Sequence, residues 1–357
     1  MKTPAAIYLE REKAMVVDDI DIPKPGPTHV VVKQFATGVC HSQLHELHRP
    51  APAFPLVLGH ESTGVVVATG SEVTHVQTGD HVMVTWVQRS AAPGLPVPVP
   101  ATVMYKGTQV NFGAPVFTGV FTWAETTIVD QQFVVPFPKD VATDVTSIIG
   151  CAVMTGCGAA INAAMVRPNN PVAIIGAGGV GLSVIQACAN IGAHPIITVD
   201  LTDEKLKFAE QFGSTIGVNA AKDDAVEKVR ELTNGGVEFA FDAIGVGKTI
   251  EQALQMARPR VPGEREGGTA ILVGVPHGDA PNVPMQMIFG GKVYRGAPGG
   301  SSRPDRDFPM YVRWIKEGKL PLDLMVTQRF KLDEINEACE ALGNGEVAGR
   351  AIVEFES

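Results

Sequence analysis

The chain has 357 residues, 45% of them hydrophobic and 19% charged, proportions of a packed globular protein long enough for two domains. Its formal net charge of −9, with no Lys/Arg-rich tract, argues against nucleic acid or an anionic membrane surface as a partner. Five cysteines at irregular spacing (40, 151, 157, 188 and 339) make no disulfide framework, and the first residues meet charge before any apolar run of signal-peptide length, so a reduced cytoplasmic setting is expected.

Up to about residue 150 the chain is β-rich and punctuated by glycine and proline. Strands are expected over Val30–Phe35, Ser62–Thr69, Asp80–Thr85, Ala124–Val129 and Gln132–Val135, forming an antiparallel barrel-like body. The proline-rich stretch 88–102 can be neither a central strand nor a helix. From Asp144 to Ala164 the pattern turns helical.

Next comes an apolar run, Val172 to Ile175, then Gly176-Ala177-Gly178-Gly179-Val180-Gly181, a helical segment Leu182–Ile191, and a second apolar run closing on Asp200. Strand, G-x-G-x-x-G, helix, strand and acidic residue, in that order, are what a dinucleotide-binding βαβ unit requires. Gly176 permits the tight turn, Gly178 lets backbone N–H groups approach a pyrophosphate, and Gly181 lets helix and strand pack closely. The helix N-terminus, opening through Gly179 and Val180, offers unpaired N–H groups and a positive dipole end to phosphates. Asp200 is placed to accept hydrogen bonds from the adenosine ribose, and because Leu201 follows it, no base waits for a 2′-phosphate: NAD is favoured over NADP. The charge-free stretch Pro168–Val199 is long enough to cross a bilayer, but its five glycines, Asn190 and Pro195 make it buried parallel strands around a turn.

Beyond Asp200, Thr202 can cap a helix with Asp203 and Glu204 in its first turn. Helices over Ala221–Leu232 and Thr249–Ala257 alternate with strands over Val237–Ala243 and Thr269–Val275, the pattern of a doubly wound parallel sheet. Ligands lie at the carboxyl ends of such strands, so Ile244, Gly274 and Val275 are expected in the wall of the cofactor cleft. After about residue 297 the alternation stops. A helix over Pro309–Glu317 and a final strand, Arg350–Phe355, returning to the first domain, complete the outline.

A second constellation is dispersed. Cys40-His41-Ser42 follows a strand and opens a helix-like turn, Gly59-His60-Glu61 ends a proline-bounded loop, and Cys151 begins a helix. Cys, His and Cys from three elements are the ligand set of a catalytic zinc with its fourth position open. Spacing alone equally allows Cys151 as a core thiol and His60 as a satisfied loop histidine.

CHSxxH at 40–45, GHE at 59–61, GCxxxTGxGAA at 150–160 and the glycine turn occur in order, and together they resemble the zinc-dependent medium-chain alcohol dehydrogenases over about residues 7–355. The resemblance implies an α/β chain: a GroES-like catalytic domain (1–152 and 298–357) joined to a Rossmann dinucleotide-binding domain (153–297), the active site between them, assembled as a homodimer or homotetramer. It implies Cys40, His60 and Cys151 as zinc ligands and Glu61 as a carboxylate behind them. Ser42 would take the alcohol proton and pass it by way of the cofactor ribose to His45. Thr155 and Val180 would pack on the nicotinamide, Lys205 would reach the adenosine ribose, Arg350 would bind the pyrophosphate, and Trp86 and Phe117 would line the substrate pocket.

Three departures stand out. No cysteine occurs between 41 and 150, and Ser90 stands where the first of four structural-zinc cysteines would fall, so one catalytic zinc and no structural zinc is expected. Prolines in 91–100 are expected to stiffen that lobe instead. Gln43 replaces an aspartate that bonds the zinc histidine, and its amide is expected to accept the same bond. His41 stands where relatives place an arginine on the pyrophosphate; a histidine is only partly charged near neutrality. The expected reaction is hydride transfer between NAD and a small alcohol, giving the aldehyde or ketone. The apolar Trp86, Phe117 and Val275 point to primary, aromatic or medium-chain substrates. Thiol-adduct formaldehyde dehydrogenases and polyol dehydrogenases are the neighbouring readings. A non-enzymatic nucleotide sensor has no need of Cys40, His60, Cys151, Ser42 and His45 together.

Overall fold

Three valines and Phe35 dominate the strand expected at Val30–Phe35, and in the structure that strand runs further, from His29 to Val39. It is long enough to serve two partners on one edge. Its first half pairs antiparallel with Thr126–Asp130 and its second half with Arg350–Glu354, while its other edge carries Ser62–Thr69. The architecture is that of a computed structural model describing residues 1–50, 52–90, 97–114, 117 and 119–356. The chain forms two compact units, Met1–Cys151 with Arg303–Ser357, and Ala152–Ser302.

The first unit holds two sheets. A seven-stranded sheet runs in the order Val134–Pro136, His81–Val84, Ser62–Thr69, His29–Val39, Arg350–Glu354, Val326–Phe330, with Thr126–Asp130 also on His29–Val39. The expected return of the last strand is observed, but its pairing with Val326–Phe330 is parallel, so the body is not wholly antiparallel. A five-stranded sheet adds Lys2–Tyr8 and Val16–Asp21, which the sequence pattern does not single out. Pro4 and two alanines are poor strand formers, and pairing in register from Lys2↔Asp21 to Ile7↔Val16 overrides them. Part of the proline-rich stretch, 91–96, lies outside the described residues.

Several expected elements are corrected. Gln132–Val135 is a 3-10 turn (Gln131–Phe133) followed by the strand Val134–Pro136, because the Asp130 carboxylate accepts from the Gln132 N–H and turns the chain. The helical stretch 144–164 divides into a 3-10 segment (Val145–Gly150), an α-helix (Ala152–Gly158) and a π-helical turn (Ala159–Ala164), with the break at Cys151. The helix placed at Pro309 begins at Pro304, a proline at the first helical turn where its missing N–H costs nothing.

The second unit is a six-stranded parallel sheet in the order Ile216–Asn219, Ile196–Asp200, Val172–Ile175, Phe239–Asp242, Thr269–Leu272, Val293–Gly296. Numbered along the chain this is 3-2-1-4-5-6, the doubly wound order whose switch point lies beside its first strand. Its core is Ile175, Ile197, Val199, Val229, Leu254 and their neighbours, all buried. Asp224 accepts hydrogen bonds from the N–H groups of Val226 and Glu227, so the helix expected from Ala221 starts at Ala225. Thr202 caps its helix as expected. The two expected strands at 237–243 and 269–275 end earlier, at Asp242 and Leu272, leaving Ile244, Gly274 and Val275 in loops at their carboxyl ends. Among the described residues no helix is long and apolar enough to cross a membrane.

Two histidines of the first unit give its stability a pH dependence. Burial lowers the pKa of His75, whose Nε2 lies 3.0 Å from the Val134 carbonyl oxygen, and of His81, which packs edge-on to Phe35. A histidine whose folded pKa lies below 6.5 leaves the unfolded chain the stronger proton binder just under that value. Stability is therefore expected to be indifferent to these groups above pH 6.5 and to fall as pH drops below it. Denaturant midpoints between pH 5 and 7.5 check this: His75→Gln should flatten the acid side, and an unchanged slope would refute the assignment.

Candidate functional site

The Cys40 backbone is extended (φ −124°, ψ 143°) and caps the helix His41–Leu47. His60 lies in the loop before Ser62–Thr69, and Cys151 fills the break between the 3-10 segment and the helix Ala152–Gly158. These three side chains, 8%, 1% and 7% exposed, bring their ligating atoms within 4.8 Å of one another. Ligands 2.0–2.3 Å from a tetrahedral ion stand about 3.3–3.8 Å apart, so the three atoms are already gathered near that spacing. Two thiols and an imidazole are also the donor set zinc prefers. Neither ring nitrogen of His60 has a hydrogen-bond partner among the described residues, which suits a metal ligand.

Charge around the thiols is organised by a fully buried pair: the Arg350 guanidinium donates to the Glu61 carboxylate. The hydrogen bond from Cys151 pulls the Cys40 thiol well below its usual range, helped by His60 and Arg350, and correspondingly pushes Cys151 up. The Ser42 hydroxyl donates to the Cys40 sulfur at 3.4 Å. Gln43 differs from expectation. Its Oε1 accepts from the Cys40 N–H at 3.3 Å rather than from His60, because a longer amide on the same helix folds back over the helix N-terminus. The imidazole plane is instead set by Phe117, stacked on it at 4.9 Å with planes 6° apart, and Trp86 meets Phe117 edge-on at 6.0 Å.

Cys40, His60, Cys151, Ser42, Glu61 and Arg350 thus form one cluster, with Phe117 against its histidine and Trp86 against Phe117. His45 lies on the same helix as Ser42, and His41 is exposed at that helix's start. Sequence reasoning placed Arg350 on the cofactor and missed its partnership with Glu61, for which no local signal exists.

In the second unit the three glycines separate by cause. Gly176 has φ +99°, in the left-handed region. A methyl group on Gly181 would overlap the Gly176 carbonyl oxygen, whereas one on Gly178, just ahead of the helix Gly179–Ile191, would meet nothing within 4 Å. That open face at a helix N-terminus fits a pyrophosphate. Asp200 also holds the turn itself, accepting from the Ala177 N–H at 2.8 Å and the Leu201 N–H at 2.7 Å. Thr155 is buried with its hydroxyl unpartnered among the described residues, and its neighbour Gly156 packs on the Val180 backbone. Ile244 and Val275, 38% and 53% exposed, flank Gly274 at the strand ends, and Lys205 is half-buried one turn past Asp200. Gly181→Ala is accordingly expected to destabilise the unit by about 1–3 kcal/mol through overpacking. Gly178→Ala should melt like the parent yet bind NAD at least tenfold more weakly. Thermal melts with and without NAD separate the two, and equal melting of the variants would refute the distinction.

A doubly wound nucleotide sheet in one unit and a Cys-His-Cys cluster in a β-rich other define the class: metal-dependent oxidoreductases that use a dinucleotide. Residues 26–139 match the family described as alcohol dehydrogenase GroES-like domain, and residues 179–317 the family described as zinc-binding dehydrogenase. An S-(hydroxymethyl)glutathione dehydrogenase of Paracoccus denitrificans is 33% identical, covering 97% of this chain and 98% of that protein. A class-3 alcohol dehydrogenase of Cereibacter sphaeroides is also 33% identical over 99% of this chain and all of its own. The crystal structure of benzyl alcohol dehydrogenase from Acinetobacter calcoaceticus superimposes with a TM-score of 0.88 at 29% identity, covering 100% of both chains. The chain belongs to the zinc-dependent medium-chain alcohol dehydrogenase family.

Proposed function

We propose that the protein is an NAD-dependent alcohol dehydrogenase using one catalytic zinc per subunit, with a primary, aromatic or medium-chain alcohol as substrate. The observation that carries this reading is the gathering of Cys40, His60 and Cys151 within 4.8 Å, walled by Phe117 and Trp86. Zinc held by those three would polarise an alcohol oxygen and acidify its hydroxyl, and NAD would accept the hydride. The chain's own residues do the rest. Ser42 receives the hydroxyl proton and His45 releases it to solvent. Glu61, paired with Arg350, keeps a negative charge behind the ligands, and Phe117 and Trp86 shape an apolar pocket. Gly178, Gly179 and the helix N-terminus take the pyrophosphate, with His41 and Arg350 as its cations. Thr155, Val180, Ile244, Gly274 and Val275 bound the nicotinamide, and Asp200 with Lys205 takes the adenosine ribose. The assembly is a homodimer or homotetramer.

Metal analysis together with an alcohol panel, assayed with NAD and with NADP by absorbance of the reduced cofactor, tests the reading. One zinc per subunit and NAD reduction with benzyl alcohol are expected. Two tightly held zinc ions, or faster reduction of NADP, would overturn the corresponding part. A second reading, oxidation of a hydroxymethyl thiol adduct, is favoured by what the Paracoccus relative is named for, and S-(hydroxymethyl)glutathione belongs in the same panel.

A further inference from the structure

Beneath the metal histidine lies a group of buried hydroxyls that the reaction does not use. Thr37 and Thr122 are both 0% exposed, and their Oγ1 atoms are 2.7 Å apart. The Thr37 hydroxyl donates to the Glu61 carbonyl oxygen at 2.8 Å, and that of Thr122 lies 3.3 Å from the same oxygen. Two hydroxyl protons serve these three contacts, so a consistent arrangement has Thr122 donating to Thr37, and Thr37 to Glu61. On the other side of His60, the Leu58 carbonyl oxygen accepts from the N–H groups of Thr122 and Trp123, at 3.1 and 3.0 Å. Gly59 between them has φ +100°, and a methyl group there would collide with the Thr122 hydroxyl. Thr122 is itself anchored, its carbonyl oxygen accepting from the Gln34 amide at 2.9 Å.

We infer that Thr37 and Thr122 are positioning residues for the metal ligand His60. Thr37 holds Glu61 by its hydroxyl, and Thr122 holds Leu58 by its main-chain N–H while its own hydroxyl orients that of Thr37, so that the imidazole is presented at a fixed distance from the two thiols. Among the described residues no hydrogen bond at the His60 ring does this. Its orientation therefore comes from the backbone grip and the Phe117 stack. Each threonine acts through the main chain, by way of the Glu61 carbonyl oxygen. Groups that orient a metal ligand at one remove typically govern metal affinity by 10–100-fold. The inference rests on the zinc site proposed above.

Thr→Val keeps the shape and removes only the hydroxyl, and Thr→Ser keeps the hydroxyl. Thr37→Val, which removes the donor to the Glu61 carbonyl oxygen, is expected to release zinc to a chelator about 10–100-fold faster than the parent, and Thr122→Val, which removes only the hydroxyl that orients Thr37, faster than the parent by a smaller factor. Thr37→Ser and Thr122→Ser should stay within about threefold of it, the range below that expected loss. The cobalt-substituted valine variants should show a shifted visible absorption spectrum. A merely structural role would lower the melting temperature of the metal-free protein and leave zinc release from the folded protein unchanged. Release within twofold of the parent in both valine variants, or equal release by valine and serine variants, would overturn the inference. Should Thr37→Val not fold, Thr122→Val, which removes only the hydroxyl that orients Thr37, carries the measurement at its smaller expected factor, and release within twofold of the parent overturns the inference. A parent that binds no zinc would overturn the proposed function and this inference together, whereas a zinc-bearing parent with unaffected variants would sink the inference alone.

Discussion

Replacing His60 with alanine is expected to empty the metal centre and to lower turnover about a thousandfold or more. Lewis-acid polarisation contributes several kcal/mol of transition-state stabilisation, and each 1.36 kcal/mol is about a factor of ten in rate. The two thiols remain, but two ligands in a site shaped for three leave the ion open to exchange. His60 is 1% exposed and stacked on Phe117, so its removal also leaves a gap. Circular dichroism is needed to show that the fold persists. Zinc content by atomic absorption and kcat with benzyl alcohol are the measurements. A folded variant that keeps one zinc and a tenth of the parent's turnover would refute the ligand assignment.

The second large effect concerns the pair behind the ligands. Glu61 and Arg350 are 0% and 4% exposed, and breaking a buried pair by removing one partner costs about 3–5 kcal/mol. Arg350→Met strands the Glu61 carboxylate in the interior without its partner. An unpaired charge in a medium that screens it poorly is costly. At roughly 2–4 °C per kcal/mol for domains of this size, a fall in melting temperature of about 6–20 °C is expected. The double variant Glu61→Leu with Arg350→Met removes both charges and should recover much of that loss. If the double variant melts lower than the sum of the two single losses, the pair is not the energetic unit described.

What could be read in advance divides along physical lines. The glycine turn was legible because each glycine answers a local demand: the sign of φ at Gly176, close packing at Gly181, open space at Gly178. The Cys-His-Cys set was legible as a choice of residue types, although spacing alone left a plain core thiol open for Cys151. Gln43 went astray because a one-carbon difference in side-chain length decides which N–H its oxygen meets. The partnership of Arg350 with Glu61 spans 289 residues and has no periodicity to announce it. Buried threonines such as Thr37 and Thr122 are ordinary strand residues by composition, and only their shared carbonyl sets them apart. The first two strands were invisible because tertiary pairing, not propensity, makes them.

The strand Arg350–Glu354 is an inner member of its sheet, with His29–Val39 on one side and Val326–Phe330 on the other. During synthesis, at about 5–20 residues per second, Arg350 leaves the ribosome roughly 15–60 s after Glu61, 289 positions earlier. Throughout that interval the metal-binding half of the nascent protein lacks a strand and the counter-charge of a buried carboxylate, and once Ser302 has been made the Ala152–Ser302 unit has its whole sequence while Arg350 is still to come. The seven-stranded sheet that carries the buried pair therefore closes only after the second unit has its whole sequence.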